Sequence, residues 1–229
     1  MHQRTIAQLC DRIMSSQSGA ERVLVALAGP PGSGKTTFAA QLARGMNDRA
    51  GKHVAAVLPM DGFHLDNDHL SAMGALHRKG APETFDVSGF VRLVTAVRND
   101  NGPVRYPTFD RVADKVLTDS QSLGPETRFV IFEGNYLLLQ QGDWATLRDL
   151  FDVTIMLRVN QSKLRERLIA RWLDHGLNAV QAELRADGND MVNAALVQDH
   201  SAEPHLTLLT QTDDQITLET TGKGIRHAG

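Results

Sequence analysis

GPPGSGKTT, residues 29–37, decides how this chain is read, because Gly29, Gly34, Lys35 and Thr36 keep the spacing G-x-x-x-x-G-K-[ST]. That spacing is the phosphate-binding P-loop. Its context is right as well. Residues 22–28, RVLVALA, form a short apolar run with β-branched members, as in a buried strand. Beyond the loop, Phe38, Leu42 and Met46 fall on one face of a predicted helix. The amides at a helix N-terminus have no internal partner and point at an anion, with the helix dipole adding attraction. Gly32 and Gly34 let the backbone approach closely. Pro30 and Pro31 carry no N–H, so the donors come from Gly32 onward, through Ser33 to Thr37. Lys35 is expected to reach the β/γ-phosphates of ATP and Thr36 to ligate Mg²⁺.

Length and composition narrow the remainder. The 229 residues suit one α/β domain, 1–229. The net charge of −3, with both signs scattered, implies no nucleic-acid partner and no membrane field. Cys10 is the only cysteine, which excludes a disulfide framework and fits a cytoplasmic location. No apolar run approaches the ~20 residues a bilayer requires. Residues 1–18 carry Ile6, Leu9, Ile13 and Met14 at helical spacing, predicting a leading helix on the sheet with Cys10 beside its buried face. A frayed tail is expected over 221–229.

Two acids stand at strand ends. A second strand, 53–58, runs into Pro59, Met60 and Asp61, and ligands in open α/β sheets bind beyond the carboxyl ends of the strands. Asp61 there can accept a proton from a substrate hydroxyl, contact Mg²⁺ through water, or simply cap a turn. Phe129 to Phe132 form a continuous apolar strand ending in Glu133, the arrangement that orders Mg²⁺ and its waters. Asn135 and Tyr136 follow on the same rim as candidates for substrate hydrogen bonds, with His64 and Arg111 from the neighbouring segments. Residues 76–86 read as a solvated loop or a substrate flap, and 104–118 as a peripheral β-hairpin. Residues 161–176 form a helix bearing Arg165, Arg167 and Arg171, which can close as a lid over developing charge. A helix over 178–186 is expected to break at Asp187-Gly188, with Asn189 or Asp190 capping the next one.

Assembled, these blocks resemble the phosphoribulokinase/uridine kinase family of P-loop kinases, which includes the bacterial pantothenate kinases. The resemblance spans nearly the whole chain. It rests on VALAGPPGSGKTT, LPMDGFHLDN, HRKGAPETFDVSGF, YPTFDR, FVIFEGNYLLL and NDMVNAALV. It is strongest to a bacterial subgroup named fructose transport system kinases. The resemblance implies a three-layer α/β/α sandwich with a mainly parallel sheet, a small lid and a peripheral β-hairpin. It implies transfer of the ATP γ-phosphate to a hydroxyl of a small metabolite, a sugar such as fructose, with uridine or another nucleoside and pantothenate as alternatives. Asp61 would be the base, Glu133 the Mg²⁺-organising acid, Lys35 the phosphate lysine, and Arg167 and Arg171 the lid arginines. A homodimer is an allowed assembly. Phe109, where the family has Tyr, followed by Arg111, departs from the nucleoside-binding pattern. From another class, an ATP-binding regulator of a transport system would need neither Asp61 nor Glu133.

Overall fold

The six residues of β1 (Val23–Ala28) are all buried, as a parallel strand covered on both faces must be. Their side chains alternate between two cores. Leu24, Ala26 and Ala28 join one, and Val23, Val25 and Leu27 join the other. A computed structural model describes residues 2–16, 22–100, 102–212 and 215–220. The expected tail and the two ends of the leading segment lie outside the described residues.

In chain order the elements are α1 (His2–Met14), β1, α2 (Lys35–Ala50), β2 (Ala55–Pro59), α3 (Asn67–Ala72), α4 (Val87–Asn99), β3 (Val104–Asp110) and β4 (Lys115–Leu123). They continue with β5 (Phe129–Gly134), β6 (Val153–Val159), α5 (Gln161–Asp174), α6 (Ala179–Arg185), α7 (Met191–His200), β7 (Leu206–Thr212) and β8 (Gln215–Thr220). The main sheet has the order β2-β5-β1-β6-β7-β8. Its first five strands are parallel and β8 returns antiparallel on β7. Leu9, Cys10 and Ile13 of α1 and Phe38, Leu42 and Met46 of α2 fill one core. Phe90, Val94 and Val97 of α4 fill the other, with Leu137, Leu138 and Leu139. The result is the expected α/β/α sandwich.

Several boundaries differ from the sequence reading, each for a local reason. β2 begins at Ala55 rather than residue 53, because Asn47 Oδ1 accepts from the amides of Val54 and Ala55 at 2.8 Å each and fixes the entry. The peripheral hairpin is real, but its second strand starts at Lys115. Residues 112–114 are its turn, where Asp110 Oδ1 accepts from the Val112 and Ala113 amides. Asp187-Gly188 does not break the helix. Residues Ala186–Asp190 form a π turn that carries α6 into α7. Asp190 is helical and makes no side-chain cap; its carboxylate is used elsewhere, as described below.

Arg22 was read as part of the first strand, yet it precedes it and is 2 % exposed. Its guanidinium donates to the carbonyls of Asp100 (2.6 Å), Gly102 (2.8 Å), Gly124 (3.0 Å) and Thr127 (3.2 Å). Buried carbonyls without a donor would be costly, so Arg22 ties the base of the sheet to the ends of α4 and β4.

Candidate active site

The P-loop enters α2 through two glycines with left-handed backbones, Gly32 (φ 74°) and Gly34 (φ 87°). The Ser33 amide closes a turn on Pro30 O at 3.2 Å. The amides of Gly34, Lys35 and Thr36, at the open start of α2, are therefore the ones directed at an anion. Gly29 is required by packing. A Cβ there would stand 2.9 Å from Ser33 Oγ and 3.0 Å from Leu157 O.

Register brings the two acids to this loop. Glu133 pairs with Leu27 of β1 on one side and with Pro59 of β2 on the other. The chain after Pro59 turns at once into a short 3-10 segment, Met60–Phe63, that carries Asp61. Gly134 and Gly62 permit this close packing. A Cβ on Gly134 would meet Met60 Cβ at 2.6 Å, and one on Gly62 would collide with Pro107 O. Asp61 is thus clamped between the tip of β5 and the hairpin.

Glu133 is 3 % exposed, and its Oε1 accepts from Thr36 Oγ1 at 3.1 Å. Burial pushes the Glu133 carboxyl up from its ordinary range, while Lys35 acts to bring it down. Burial pushes the Lys35 ammonium down, opposed first by Glu133 and then by Asp61. The charges of Arg111 and Arg171 also reach Lys35. The charges of Lys35 and Glu133 each oppose the effect of burial on the other, and phosphate oxygens or a cation bound there would add to that compensation. Mg²⁺ suits the donors present. A hydroxyl and a carboxylate are hard oxygen ligands, and Mg²⁺ is commonly held by one or two carboxylates plus substrate phosphates and water.

On the acceptor side, Arg111 Nη2 donates to Asp61 Oδ2 at 2.6 Å. His64 is held in a slot between Phe85 and Phe109, with ring centroids 4.1 and 4.6 Å away. Its Nδ1 lies 2.8 Å from Asp61 O. A carbonyl can only accept, so Nδ1 carries the proton and Nε2 presents a lone pair. Burial lowers the His64 pKa and favours this neutral form. Asn135 is partly buried, and its Oδ1 has no hydrogen-bond partner among the described residues.

Tyr136 is set differently from the expectation of a substrate contact. It is fully buried, and its hydroxyl donates to Gly80 O at 2.6 Å. Burial raises its pKa strongly. Tyr136 braces the 76–86 loop from below. Lys79 ties the same loop to Asn67 and to the hairpin turn. Its Nζ bonds Asp114 Oδ1 at 2.8 Å and Asn67 Oδ1 at 2.7 Å, and lies 5.0 Å from the Phe109 ring centroid.

The arginines of α5 divide. Arg165 makes two 2.8 Å bonds to Asp187 on the surface. Arg167 Nη1 donates to Gly32 O of the P-loop at 3.2 Å. Arg171 Nη2 donates to Asp190 Oδ1 at 3.2 Å. Leu168 packs on the P-loop so closely that a Cβ on Gly32 would lie 3.2 Å from its Cγ. Asp190 had been assigned a capping role, and nothing in its local sequence distinguishes it from a cap.

Comparison with known proteins places the chain among P-loop kinases. A family model of the KAP family P-loop domain matches residues 3–206. A Schizosaccharomyces pombe protein named "putative uridine kinase C227.14" is 36% identical over 208 residues, covering 88% of each chain. The Escherichia coli protein YggC is 38% identical over 173 residues, 73% of this chain and 70% of that one. The crystal structure of a "putative fructose transport system kinase" from Silicibacter sp. TM1040 superposes with a TM-score of 0.83 at 45% identity, covering 88% of this chain and 98% of that one. No helix among the described residues is long and apolar enough to cross a membrane.

Proposed function

We propose that this chain, which belongs to a uridine kinase-like family of P-loop kinases, transfers the γ-phosphate of ATP to a hydroxyl of a small metabolite. The observation that carries the reading is the meeting of two acids at the P-loop: Glu133 accepts from Thr36 Oγ1 at 3.1 Å, and Asp61 lies just beyond Pro59, the β2 residue paired with Glu133. A protein that only binds nucleotide needs no second carboxylate beside the phosphates.

In this reading the loop amides and Lys35 bind the β- and γ-phosphates. Thr36 and Glu133 would hold Mg²⁺, directly or through water, and the ion would supply charge neutralisation on the phosphate oxygens. Asp61 takes the proton of the acceptor hydroxyl as the acceptor oxygen bonds to the γ-phosphorus and the bond to the ADP oxygen breaks. Arg167 and Arg171 face charge that develops during transfer. His64 Nε2 and Asn135 contact the acceptor, while Arg111 holds Asp61 Oδ2 in place for it. The hydroxyl of Tyr136 is committed to Gly80, so Tyr136 shapes the pocket from behind.

The names of the relatives favour a sugar or a nucleoside as acceptor. Phe109 and Arg111 in the hairpin favour the sugar. The test is ADP release from MgATP with fructose, uridine and pantothenate in turn, run on the wild type and on Asp61→Asn. The reading requires an acceptor-stimulated rate that falls about 10²–10⁴-fold in the variant, with ATP affinity little changed. A wild type that binds MgATP while no hydroxyl compound stimulates ADP release would instead fit a nucleotide-gated regulator of a transport system.

A further inference from the structure

We propose that Asp190, in the π turn between α6 and α7, is a positioning residue that holds Arg171 over the phosphate end of the site. The inference rests on the kinase reading and goes beyond it by assigning a residue remote from both substrates.

Asp190 is a nearly buried carboxylate; its side chain is 9 % exposed. Both of its oxygens are used by successive residues of α5. Oδ1 accepts from Arg171 Nη2 at 3.2 Å and Oδ2 from Trp172 Nε1 at 2.6 Å. The Arg171 guanidinium also lies 5.1 Å from the Trp172 ring, so it is held by a charge and a π face together. Arg171 lies one helical turn beyond Arg167, whose Nη1 donates to Gly32 O of the P-loop at 3.2 Å, and residues four apart share a helix face. Arg165, by contrast, spends its fork on surface Asp187.

The π turn explains how one acid reaches both donors. Widening the helix by one residue shifts the side chains that follow it, and such turns recur at functional sites. Here the turn buries Asn189 and Asp190 together. Asn189 Nδ2 donates to Lys79 O at 3.1 Å, and Arg185, just before the turn, donates to His77 O and Lys79 O. The acceptor-side loop and the phosphate-side arginine are thus fastened to adjacent residues of one turn. An arginine left to solvent would sample many rotamers. Held by Asp190 it is preorganised for charge that appears only during transfer.

A merely structural clasp between α5 and α7 would affect every ligand alike, which gives the test. Calorimetry measures affinity for MgADP alone and for MgADP with aluminium fluoride, a mimic of the phosphoryl group in transfer that needs no identified acceptor. Arg171→Ala should weaken the aluminium fluoride complex by about 10²-fold. Asp190→Asn should weaken it by roughly 10-fold, the usual scale for an outer-shell partner. MgADP affinity should stay within about twofold in both, and the double variant should lose no more than Arg171→Ala. Arg171→Lys keeps the charge without the fork that Asp190 holds; it should resemble Arg171→Ala, and it decides the matter if Asp190→Asn does not fold. Equal losses for MgADP and aluminium fluoride, or wild-type behaviour of Asp190→Asn or Arg171→Lys, would overturn the role of Asp190 alone. A wild-type aluminium fluoride affinity in Arg171→Ala would overturn the underlying lid reading as well.

Discussion

Met60 Cβ occupies the space that a Cβ on Gly134 would need, 2.6 Å away. That contact seats the turn bearing Asp61 on the tip of the strand bearing Glu133. The two acids are 72 positions apart in the chain, by subtraction of their numbers, and this packing is what makes them neighbours. Gly134→Ala should therefore act twice. Overpacking should cost about 1–3 kcal/mol, read as a fall in Tm. Turnover should fall further than ATP affinity, because the P-loop itself is untouched. Gly188→Ala is the matched control. Nothing lies within 4 Å of its built Cβ, so that variant should keep or raise Tm.

Glu133→Gln should separate stability from function. The neutral amide relieves the desolvation of the carboxyl but removes the charge that opposes the burial of Lys35, so Tm should change little. The Mg²⁺ concentration that half-saturates ATP binding should rise by roughly 10–100-fold, the scale for residues that orient metal-bound water. A Mg²⁺ titration alongside a melting curve checks both. Unchanged Mg²⁺ dependence would leave Glu133 a structural acid. In parallel, Lys35→Ala should abolish most ATP affinity without lowering Tm.

His64 gives a pH dependence whose sign follows from its surroundings. Burial lowers its pKa, Asp61 opposes this, and the nearby Lys79 and Arg111 reinforce it. The unfolded chain then binds a proton near the ordinary pKa of about 6.5, where the folded protein does not. The contribution of His64 to stability is complete above that pH and declines as pH falls toward the lowered folded value. His64→Phe keeps a ring between Phe85 and Phe109 without the titration. The Tm of the wild type relative to His64→Phe should drop between pH 7.5 and 5. A constant difference would mean that His64 is protonated equally in both states.

What the chain disclosed in advance was whatever is written locally. The P-loop spacing and the apolar strands with acids at their tips are contiguous signals, and these elements form where expected, whereas the hairpin turn lies at 112–114 rather than before residue 112. The features that escaped depend on partners distant in sequence. Arg22 looked like the first residue of a strand, because its four carbonyl acceptors lie at residues 100–127. Gly188 looked like a helix stop, since isolated glycine usually costs helix stability, yet packing against α5 carries the helix through it. Tyr136 sits beside Asn135 in sequence and points into the core instead. Phe109, which departs from the nucleoside-binding pattern in sequence, forms one wall of the His64 slot.

The pair between Arg111 and Asp61 is the arrangement most able to distinguish a poised base from a structural acid. At 2.6 Å it is a short, charge-assisted bond. The Arg111 side chain is 58 % exposed, and exposed pairs contribute at most about 1 kcal/mol, so losing it should shift Tm by only about 2–4 °C. Its consequence for chemistry should be larger. Arg111 is the side chain that fixes the direction of Asp61 Oδ2, and misplacing a reacting group by about 1 Å can cost 10²-fold. Arg111→Ala should accordingly lower kcat/KM for the acceptor by about 10–10²-fold, with ATP affinity unchanged because the P-loop amides and Lys35 are intact. Arg111→Lys should recover only part of the loss, since an ammonium offers a charge without the planar fork. Combining Arg111→Ala with Asp61→Asn should add little to Asp61→Asn alone, because the arginine acts through the carboxylate. Full additivity of the two substitutions would show instead that Arg111 contacts the acceptor independently of Asp61. A wild-type kcat/KM in Arg111→Ala would show that Asp61 needs no partner to hold its place.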